Sequence, residues 1–243
     1  MSMRYKGGVI SATAPTTSSS AATGVWTLPQ QFQAIAANNW PSPPLVIGQA
    51  YAGGFYAGQI GVSGVATHNL VVGPKASAQS TLAWKNAQTA TTGANSVIDG
   101  PQNTADIVAD GNSTVYPAAH FCNDLSTGGQ TDWYMPAINE LDVCYFNLKP
   151  TTTSNVTSSG VNANAVPART SAYTTGTPAQ TSATVFQDSG AEAFDTFRYW
   201  TSNKGFAPYV NASARYQSFL EAQLGGLFKN YSYRVRAIRR VAV

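Results

Sequence analysis

The chain has 243 residues, enough for one large domain or two small ones. Charged residues make up only 10% of the sequence, which is low for a cytosolic enzyme, and no apolar run approaches the roughly 20 residues that a membrane span needs. The net charge of +3 is unevenly spread, because residues 198–243 hold eight Lys or Arg against one Asp or Glu.

Residues 1–45 differ in composition from the rest and predict a separate segment. Residues 10–24 are small and polar and contain proline, so we expect them to be extended or flexible. Pro29 suits the first turn of a short helix whose apolar residues recur at helical spacing: Leu28, Phe32, Ile35 and Ala36. A lone helix of this length is marginal in water, so its apolar side chains require a partner, either the body of this protein or a neighbouring subunit.

From about Leu45 the pattern changes to short strands. Three runs are β-branched or aromatic and bounded by Gly and Pro, which predicts a meander with hairpin turns: residues 45–49, 54–60 and 68–74. In residues 99–112, either Asn103 or Thr104 can cap a short helix that Gly111 ends.

Two amphipathic helices are predicted next, packed against a sheet. The first carries apolar residues at i, i+3, i+4 and i+7 up to Cys122 and beyond, and Gly128-Gly129 ends it. The second has Pro136 in its first turn and repeats the apolar stripe as far as Pro150. Cys122 and Cys144 fall on the apolar sides of these helices, which predicts two buried thiols, with a disulfide between packed helices as the alternative.

The last third of the chain mixes loops and strands. Residues 150–190 are rich in Thr, Ser, Asn, Ala and Gly, and so long a loop is usually functional or disordered. Tyr199-Trp200 begins a strand and residues 231–241 form a closing one, but residues 203–230 follow neither period. The arginines of the closing strand can form a positive face for anionic ligands, or pair with upstream carboxylates: Arg234, Arg236, Arg239 and Arg240.

Several short motifs together resemble the C-terminal domain family named for a collagen-like bacterial adhesin. The pattern is C-x-x-L, GG-x-x-DW-x-x-P-x-x-x-EL, YW-[ST]-S and R-V-R-A-[IV]-R-R. It is carried by Cys122, Leu125, Gly128, Gly129, Asp132, Trp133, Pro136, Glu140, Leu141, Tyr199, Trp200, Ser202, Arg234, Val235, Arg236, Ala237, Ile238, Arg239 and Arg240. The resemblance implies an α+β, C-type-lectin-like fold over residues 46–243, with two helices packed on a small antiparallel sheet and long loops.

Within that pattern the two acidic residues suggest structural roles. Asp132 is expected to cap the second helix or to bind nearby backbone donors, and Glu140 to pair with a C-terminal arginine. The family's other motif positions, among them Trp133, Leu141 and Trp200, are expected to build the scaffold.

Residues 5–31 resemble the leader segments of tailed-phage structural proteins, which implies that residues 1–45 are a virion-anchoring segment with one short helix. The two resemblances together imply a non-enzymatic phage virion protein of the tail or a surface appendage. Its expected partners are a host cell-surface receptor, protein or glycan, and other virion subunits bound through residues 1–45. A homo-trimer is expected, with neither nucleic acid nor a membrane span involved.

Residues 203–230 resemble a region diversified by a retroelement, because they mix aromatic, aliphatic and small residues between the YWTS and RVRA motifs. We expect them to form the ligand-binding surface of a receptor-binding protein. The alternative is a structural or decoration subunit in which this region is an oligomer interface. The candidate ligand-binding residues are Lys204, Phe206, Tyr209, Val210, Arg215, Tyr216, Ser218, Leu220, Leu224, Leu227, Phe228 and Tyr231.

Catalytic chemistry finds little support. The only histidines are His68 and His120, and on a helix the side chains of His120 and Cys122 diverge, so a Cys-His nucleophile pair is not expected. No cysteine follows Cys144, so the reactive cysteine pair of the related formylglycine-generating enzymes is lacking. There is no acidic cluster, P-loop or zinc spacing, and neither a metal nor a cofactor is expected.

Overall fold

Two units make up the chain, Met1–Leu45 and Val46–Val243. The computed structural model describes residues 16–18, 21–23, 26–37, 39 and 44–243. In the first unit, strands β1 (Thr16–Thr17) and β2 (Ala22–Thr23) pair antiparallel and are followed by helix α1 (Leu28–Ala36). Thr27 and Gln30 form a capping box at the start of α1. The predicted helix is present, and most of residues 10–24 lie outside the described residues.

The second unit holds two curled sheets. The first has the order β12-β5-β4-β3, with β7 also pairing to β4, and all its pairs are antiparallel. Its strands are β3 (Ala50–Tyr51), β4 (Gly54–Val62), β5 (Val65–Val72), β7 (Ala165–Val166) and β12 (Ile238–Ala242). The predicted strand at residues 45–49 is wrong, because this segment is a turn in which Gly48, with a φ of 80°, donates to the carbonyl of Tyr56.

The second sheet has the order β10-β9-β8-β11-β6 and is antiparallel except between β8 and β11. Its strands are β6 (Gln79–Ala83), β8 (Arg198–Lys204), β9 (Ser213–Ser218), β10 (Leu224–Phe228) and β11 (Ser232–Arg236). The predicted single closing strand is therefore two strands in different sheets. They separate at Ala237, whose backbone bonds both Ala78 and Gly73.

Four helices of the second unit connect these strands: α2 (Lys75–Ala78), α3 (Gly100–Asp110), α4 (Pro117–Asn123) and α5 (Ile138–Leu148). The cap of α3 is Asp99, which accepts from the backbone N–H of Gln102 at 3.2 Å. Asn103 and Thr104, the caps expected from the sequence, are instead buried inside the helix. This unit is thus α+β, and α4 and α5 lie at the positions of the two predicted helices. Their predicted ends are wrong, because α4 already ends at Asn123, well before Gly128-Gly129, and Pro136 precedes the N-cap residue Ala137 of α5.

Two apolar clusters form the core of this unit. One gathers residues of α5, β4 and β5 with the aromatic rings of Tyr145, Phe194 and Phe219. The other gathers Trp84, Tyr116 and residues of α4, β9 and β11. Both cysteines are free and buried, so the prediction of buried thiols is confirmed and the disulfide alternative is wrong.

The segment at 150–190 is an ordered connection packed onto α5. Asp142 of α5 is buried, and its carboxylate accepts from Asn162 at 2.7 Å, from Tyr173 at 2.6 Å and from the guanidinium of Arg169. Tyr145 donates to Asn155 at 2.6 Å. Hydrogen bonds to side chains of α5 therefore hold this segment in place, although its composition is typical of a flexible loop.

No helix among the described residues is long and apolar enough to cross a bilayer.

Candidate ligand-binding surface

Four aromatic side chains lie exposed around the β9–β10 end of the second sheet. Phe206 is 53% exposed, Tyr209 63%, Phe228 37% and Tyr231 46%. We call these four residues the aromatic face. Large apolar groups so exposed and so close together are uncommon on a protein surface that contacts nothing.

Three rings of the aromatic face lie at contact distances from one another. The ring centroid of Phe228 is 6.5 Å from that of Tyr209 and 6.0 Å from that of Tyr231, and both pairs are edge-to-face. The Arg215 guanidinium carbon stands 5.6 Å from the centroid of Phe206, within the range of a cation–π contact. A groove of about 300 Å³ lies between Phe206, Tyr209 and Phe228.

A hydrogen-bonded turn between β8 and β9 holds Phe206 and Tyr209. The Tyr209 carbonyl accepts from the backbone N–H of Ser213 at 2.9 Å and from its hydroxyl at 2.8 Å, and Gly205 donates to the Ser213 carbonyl at 2.8 Å. A Cβ on Gly205 would stand 1.9 Å from Ser213 Oγ and 2.9 Å from the Ser213 carbonyl oxygen, so a larger residue there would displace Ser213. The exposed rings are therefore carried by a fixed backbone.

Beneath this surface, Lys229 ties the end of β10 to the interior. It is fully buried, and its ammonium donates to the Thr89 carbonyl at 2.9 Å and to Thr91 Oγ1 at 3.0 Å. It also lies 4.9 Å from the Trp84 ring. Burial, together with the positive charges of Lys85 and Lys204, lowers the pKa of Lys229 to about 8.

The turn between β9 and β10 is anchored by Phe219. Its ring is fully buried, stacks on Phe194 at 3.9 Å and lies 4.9 Å from Tyr199. Ser159 Oγ donates to the carbonyl of Ala222 at 2.8 Å from outside the turn. Strand β10 is thus fixed to the core at both of its ends, through Phe219 in the turn before it and through Lys229 directly after it.

The structure divides the predicted ligand-binding residues into two groups. Tyr216 and Ser218 are buried, and Leu227 packs against the core, so these three are corrected from surface contacts to support for β9 and β10. They point inward because side chains alternate between the two faces of a strand. The remaining predicted residues are exposed or half-exposed: Lys204, Phe206, Tyr209, Val210, Arg215, Leu220, Leu224, Phe228 and Tyr231.

The C-terminal arginines pair with carboxylates. Arg234 Nε lies 2.9 Å from Asp195, and Arg236, fully buried, donates to Glu192 at 2.7 Å. Arg240 contacts Glu140 at 2.7 Å, as expected. These ion pairs agree with the alternative that the C-terminal arginines pair with carboxylates earlier in the chain.

Asp132 has a different role from the one expected. Both of its oxygens accept from Arg239, at 2.7 and 2.8 Å, so it binds a guanidinium instead of capping α5. The Arg239 bond lowers the pKa of Asp132. The N-cap residue of α5 is Ala137, and Glu140 accepts from its N–H at 2.8 Å.

The other motif residues build the frame. Trp133 is buried, and its indole N–H donates to the carbonyls of Thr127 and Gln130 across the Gly128-Gly129 turn, at 3.2 Å each. Trp200 is fully buried and donates to the Leu82 carbonyl at 3.1 Å. Cys122, Pro136 and Leu141 are buried as well.

Sequence reasoning missed a second apolar surface beside the aromatic face. Phe197 is exposed and lies under the Arg234 guanidinium, and with Tyr233 it lines a groove of about 330 Å³. The Tyr233 ring is 6.4 Å from that of Tyr231. The signal in the sequence was an aromatic residue just before each of two motifs, Phe197 before Tyr199-Trp200 and Tyr233 before the RVRA motif.

The cysteines and histidines are held in structural contacts. Burial raises the pKa of both thiols, which disfavours the reactive thiolate. The Nε2 atom of His120 lies 2.8 Å from the Gly111 carbonyl, and the Nδ1 atom of His68 lies 3.0 Å from the Thr67 hydroxyl. Among the described residues, no three His, Cys, Asp or Glu side chains gather where they could hold a metal ion.

Comparison with models of protein families gives no match to this chain, and comparison with curated proteins gives none either.

Proposed function

We propose that this chain is a phage virion protein for receptor binding and host adhesion, whose second unit displays a diversified ligand-binding surface on a C-type-lectin-like scaffold. The observation that carries the proposal is the aromatic face. Its rings are exposed, yet the backbone that bears them is fastened to the core through Phe219 and Lys229. Rigid aromatic groups contribute large contact areas at a low cost in ordering entropy.

The α+β architecture supports the lectin-like part of the proposal. Helices α4 and α5 pack against two curled sheets, and long connections such as residues 150–190 contain little regular structure and are held largely by buried side chains. The motif residues sit in this frame as buried packing groups and ion pairs.

The burial pattern of residues 203–230 supports diversification. Inward positions such as Phe219 and Tyr216 are buried, while their neighbours Leu220 and Arg215 reach the surface. Exposed positions of this kind can change without disturbing the core, since substitutions at the surface usually alter stability little.

For the first unit we propose virion anchoring through contacts with other subunits, in a homo-trimer. The exposed Leu28, Phe32 and Ile35 side chains of α1 support it, because they present an uncharged apolar stripe. No metal, cofactor or catalytic residue has a part in the proposed function.

The test is adsorption of the labelled full-length protein to a panel of bacterial strains. The double variant Tyr209→Ser, Tyr231→Ser removes two exposed rings that belong to neither core cluster. We expect its adsorption to fall about tenfold or more, as it does when interface hot spots are removed.

The matched control is Val62→Ser, Val65→Ser, which changes two exposed valines in the β4–β5 hairpin. Adsorption should stay unchanged in this control. Equal adsorption of both variants and the wild type would refute a receptor-binding role. An altered subunit number in the tyrosine variant, with adsorption unchanged, would favour the alternative of a structural subunit. A reverse transcriptase gene and a near-repeat of the 3′ coding region beside this gene would test diversification separately.

A further inference from the structure

Strand β10 is an open edge of the second sheet. It pairs with β9 on one side, and no strand of the described chain pairs with it on the other. Hydrogen bonds from Ser218 to the Gln223 carbonyl and from Lys229 to the Ala212 carbonyl fix the phase of the ladder. Since bonded pairs alternate along an antiparallel ladder, Gly225 and Leu227 bond to β9. The N–H and C=O groups of the three other residues point away from the sheet: Leu224, Gly226 and Phe228.

Nothing in the sequence of β10 protects this edge. Natural edge strands are usually shielded by charged residues, prolines, bulges or a covering segment. β10 reads Leu-Gly-Gly-Leu-Phe, without a charge or a proline, and its pairing to β9 is regular over its whole length. Leu224 and Phe228 are both partly exposed. Such an edge is suited to receive another strand.

The sequence of β10 complements itself about Gly226. When two copies of the strand run antiparallel about a two-fold axis at this residue, Gly226 faces Gly226 of the other copy, and Leu224 faces Phe228. Leu224, Gly226 and Phe228 have backbone groups that point outward, so the pairs they form in that register can exchange hydrogen bonds, whereas Gly225 faces Leu227 as a non-hydrogen-bonded pair. The Phe228 carbonyl already accepts from Tyr231 at 3.2 Å, so the ladder would end there. Leucine opposite phenylalanine places two apolar side chains within reach of each other across the joined strands.

We propose that β10 pairs with β10 of a second copy of this chain and joins the two second sheets into one continuous sheet. An antiparallel strand pair is compatible with the two-fold symmetry of most homodimers. The two copies of Arg215, each opposite Gly226 in its own sheet, would stand three strand spacings apart, about 14 Å, where salt screens their repulsion. The aromatic faces of both copies would lie on the same side of the joined sheet.

This pairing goes beyond the proposed function and does not depend on any ligand. An assembly formed through the first unit carries one β10 per copy, and its mass doubles when every β10 pairs with one of a single second assembly. The measured quantity is therefore a ratio of masses, obtained by light scattering on the full-length protein across a range of concentrations.

Two variants block the edge in different ways. Leu224→Lys places a charge on it, and Gly226→Pro removes an outward N–H while the bonds to β9 remain. The matched control is Leu220→Lys, because Leu220 is 39% exposed and Leu224 38%, yet Leu220 lies in the turn outside β10.

We expect the wild type and Leu220→Lys to have about twice the mass of Leu224→Lys and Gly226→Pro, with unchanged circular dichroism in all four proteins. Equal masses for the wild type and both edge variants would overturn the proposal, whether the protein is a monomer or a larger assembly. A drop in mass with Leu220→Lys as large as that with Leu224→Lys would also overturn it, since the contact would then not be the edge.

Discussion

Arg240 of the last strand donates a 2.7 Å hydrogen bond to Glu140, the residue that caps α5 from its first turn. Glu140 is fully buried, and its carboxylate also accepts from Tyr134 at 2.6 Å and from the Gly100 N–H at 3.1 Å. One carboxylate therefore joins the start of α3, the start of α5 and the end of the chain. Burial raises the pKa of Glu140, while the positive charge of Arg240 opposes that rise.

Glu140→Gln should cost stability, because it leaves a guanidinium facing a neutral amide in a buried network. Loss of one partner from a buried ion pair costs roughly 3–5 kcal/mol, and we expect the lower end because the Arg240 side chain keeps some exposure. Urea unfolding monitored by circular dichroism measures the change. The control is Asp132→Asn, which breaks a half-exposed pair with Arg239 and should cost less than about 1 kcal/mol. Equal losses would mean that Glu140 is not the buried junction described.

Gly128 and Gly129 offer a matched pair in one turn. Both have positive φ, 61° and 73°, but a Cβ on Gly128 would lie 2.0 Å from the Gly53 carbonyl oxygen, whereas one on Gly129 would meet nothing within 4 Å. Gly129→Ala should cost only the backbone strain of about 1–2 kcal/mol. Gly128→Ala should lose roughly 2 kcal/mol more, since backbone must move. Melting temperatures of the two variants test the difference, and similar values would contradict the close approach of the two loops.

Lys229 gives the protein a pH dependence of definite sign. Its pKa is about 8 in the folded chain and about 10.4 when unfolded, so between these values the unfolded state binds more protons. Stability should therefore rise with pH from about 8 upward, by as much as about 1 kcal/mol per pH unit from this group. Urea midpoints measured below about pH 10, where ordinary tyrosines begin to titrate, should show that rise in the wild type.

Lys229→Met is the informative variant, because methionine fills similar space and cannot titrate. The difference in stability between wild type and variant should change with pH in the same interval. A difference that stays constant from about pH 8 upward would show that Lys229 keeps an ordinary pKa.

The helices were predictable because their signals are local. The spacing of apolar residues located α1, α4 and α5, and the proline in the first turn of α1 agrees with its start. The cap of α3 was misassigned because Asp99, Asn103 and Thr104 are all good capping residues, and the choice among them depends on what is buried against β8.

The strands β9 and β10 could not be predicted because the alternation of inward and outward side chains is visible only in β9. Tyr216 faces the core while Arg215 faces outward, as in an ordinary strand, but Gly225-Gly226 removes the side chains that would show the period in β10. Burial of Lys229 is equally invisible, since a lysine reads as a surface residue until its carbonyl partners on a distant loop are known. The sequence named residues 203–230 as a candidate surface, but which of them point inward could not be read from the sequence.

Phe219 and Leu220 are adjacent residues in different environments, because Phe219 packs in the core and Leu220 lies at the surface. Phe219 is fully buried among Phe194, Tyr199 and Tyr145, so Phe219→Ala should cost roughly 3–5 kcal/mol in urea unfolding. Leu220 is exposed, and Leu220→Ala should stay within about 0.5 kcal/mol of the wild type. Adsorption to bacterial cells, measured well below the melting temperature of each protein, should respond in the opposite order if Leu220 contacts the receptor. A stable Phe219→Ala variant would contradict the anchoring of the β9–β10 turn. An unfolded Leu220→Ala variant would show that Leu220 supports the fold and is not a residue of the ligand-binding surface.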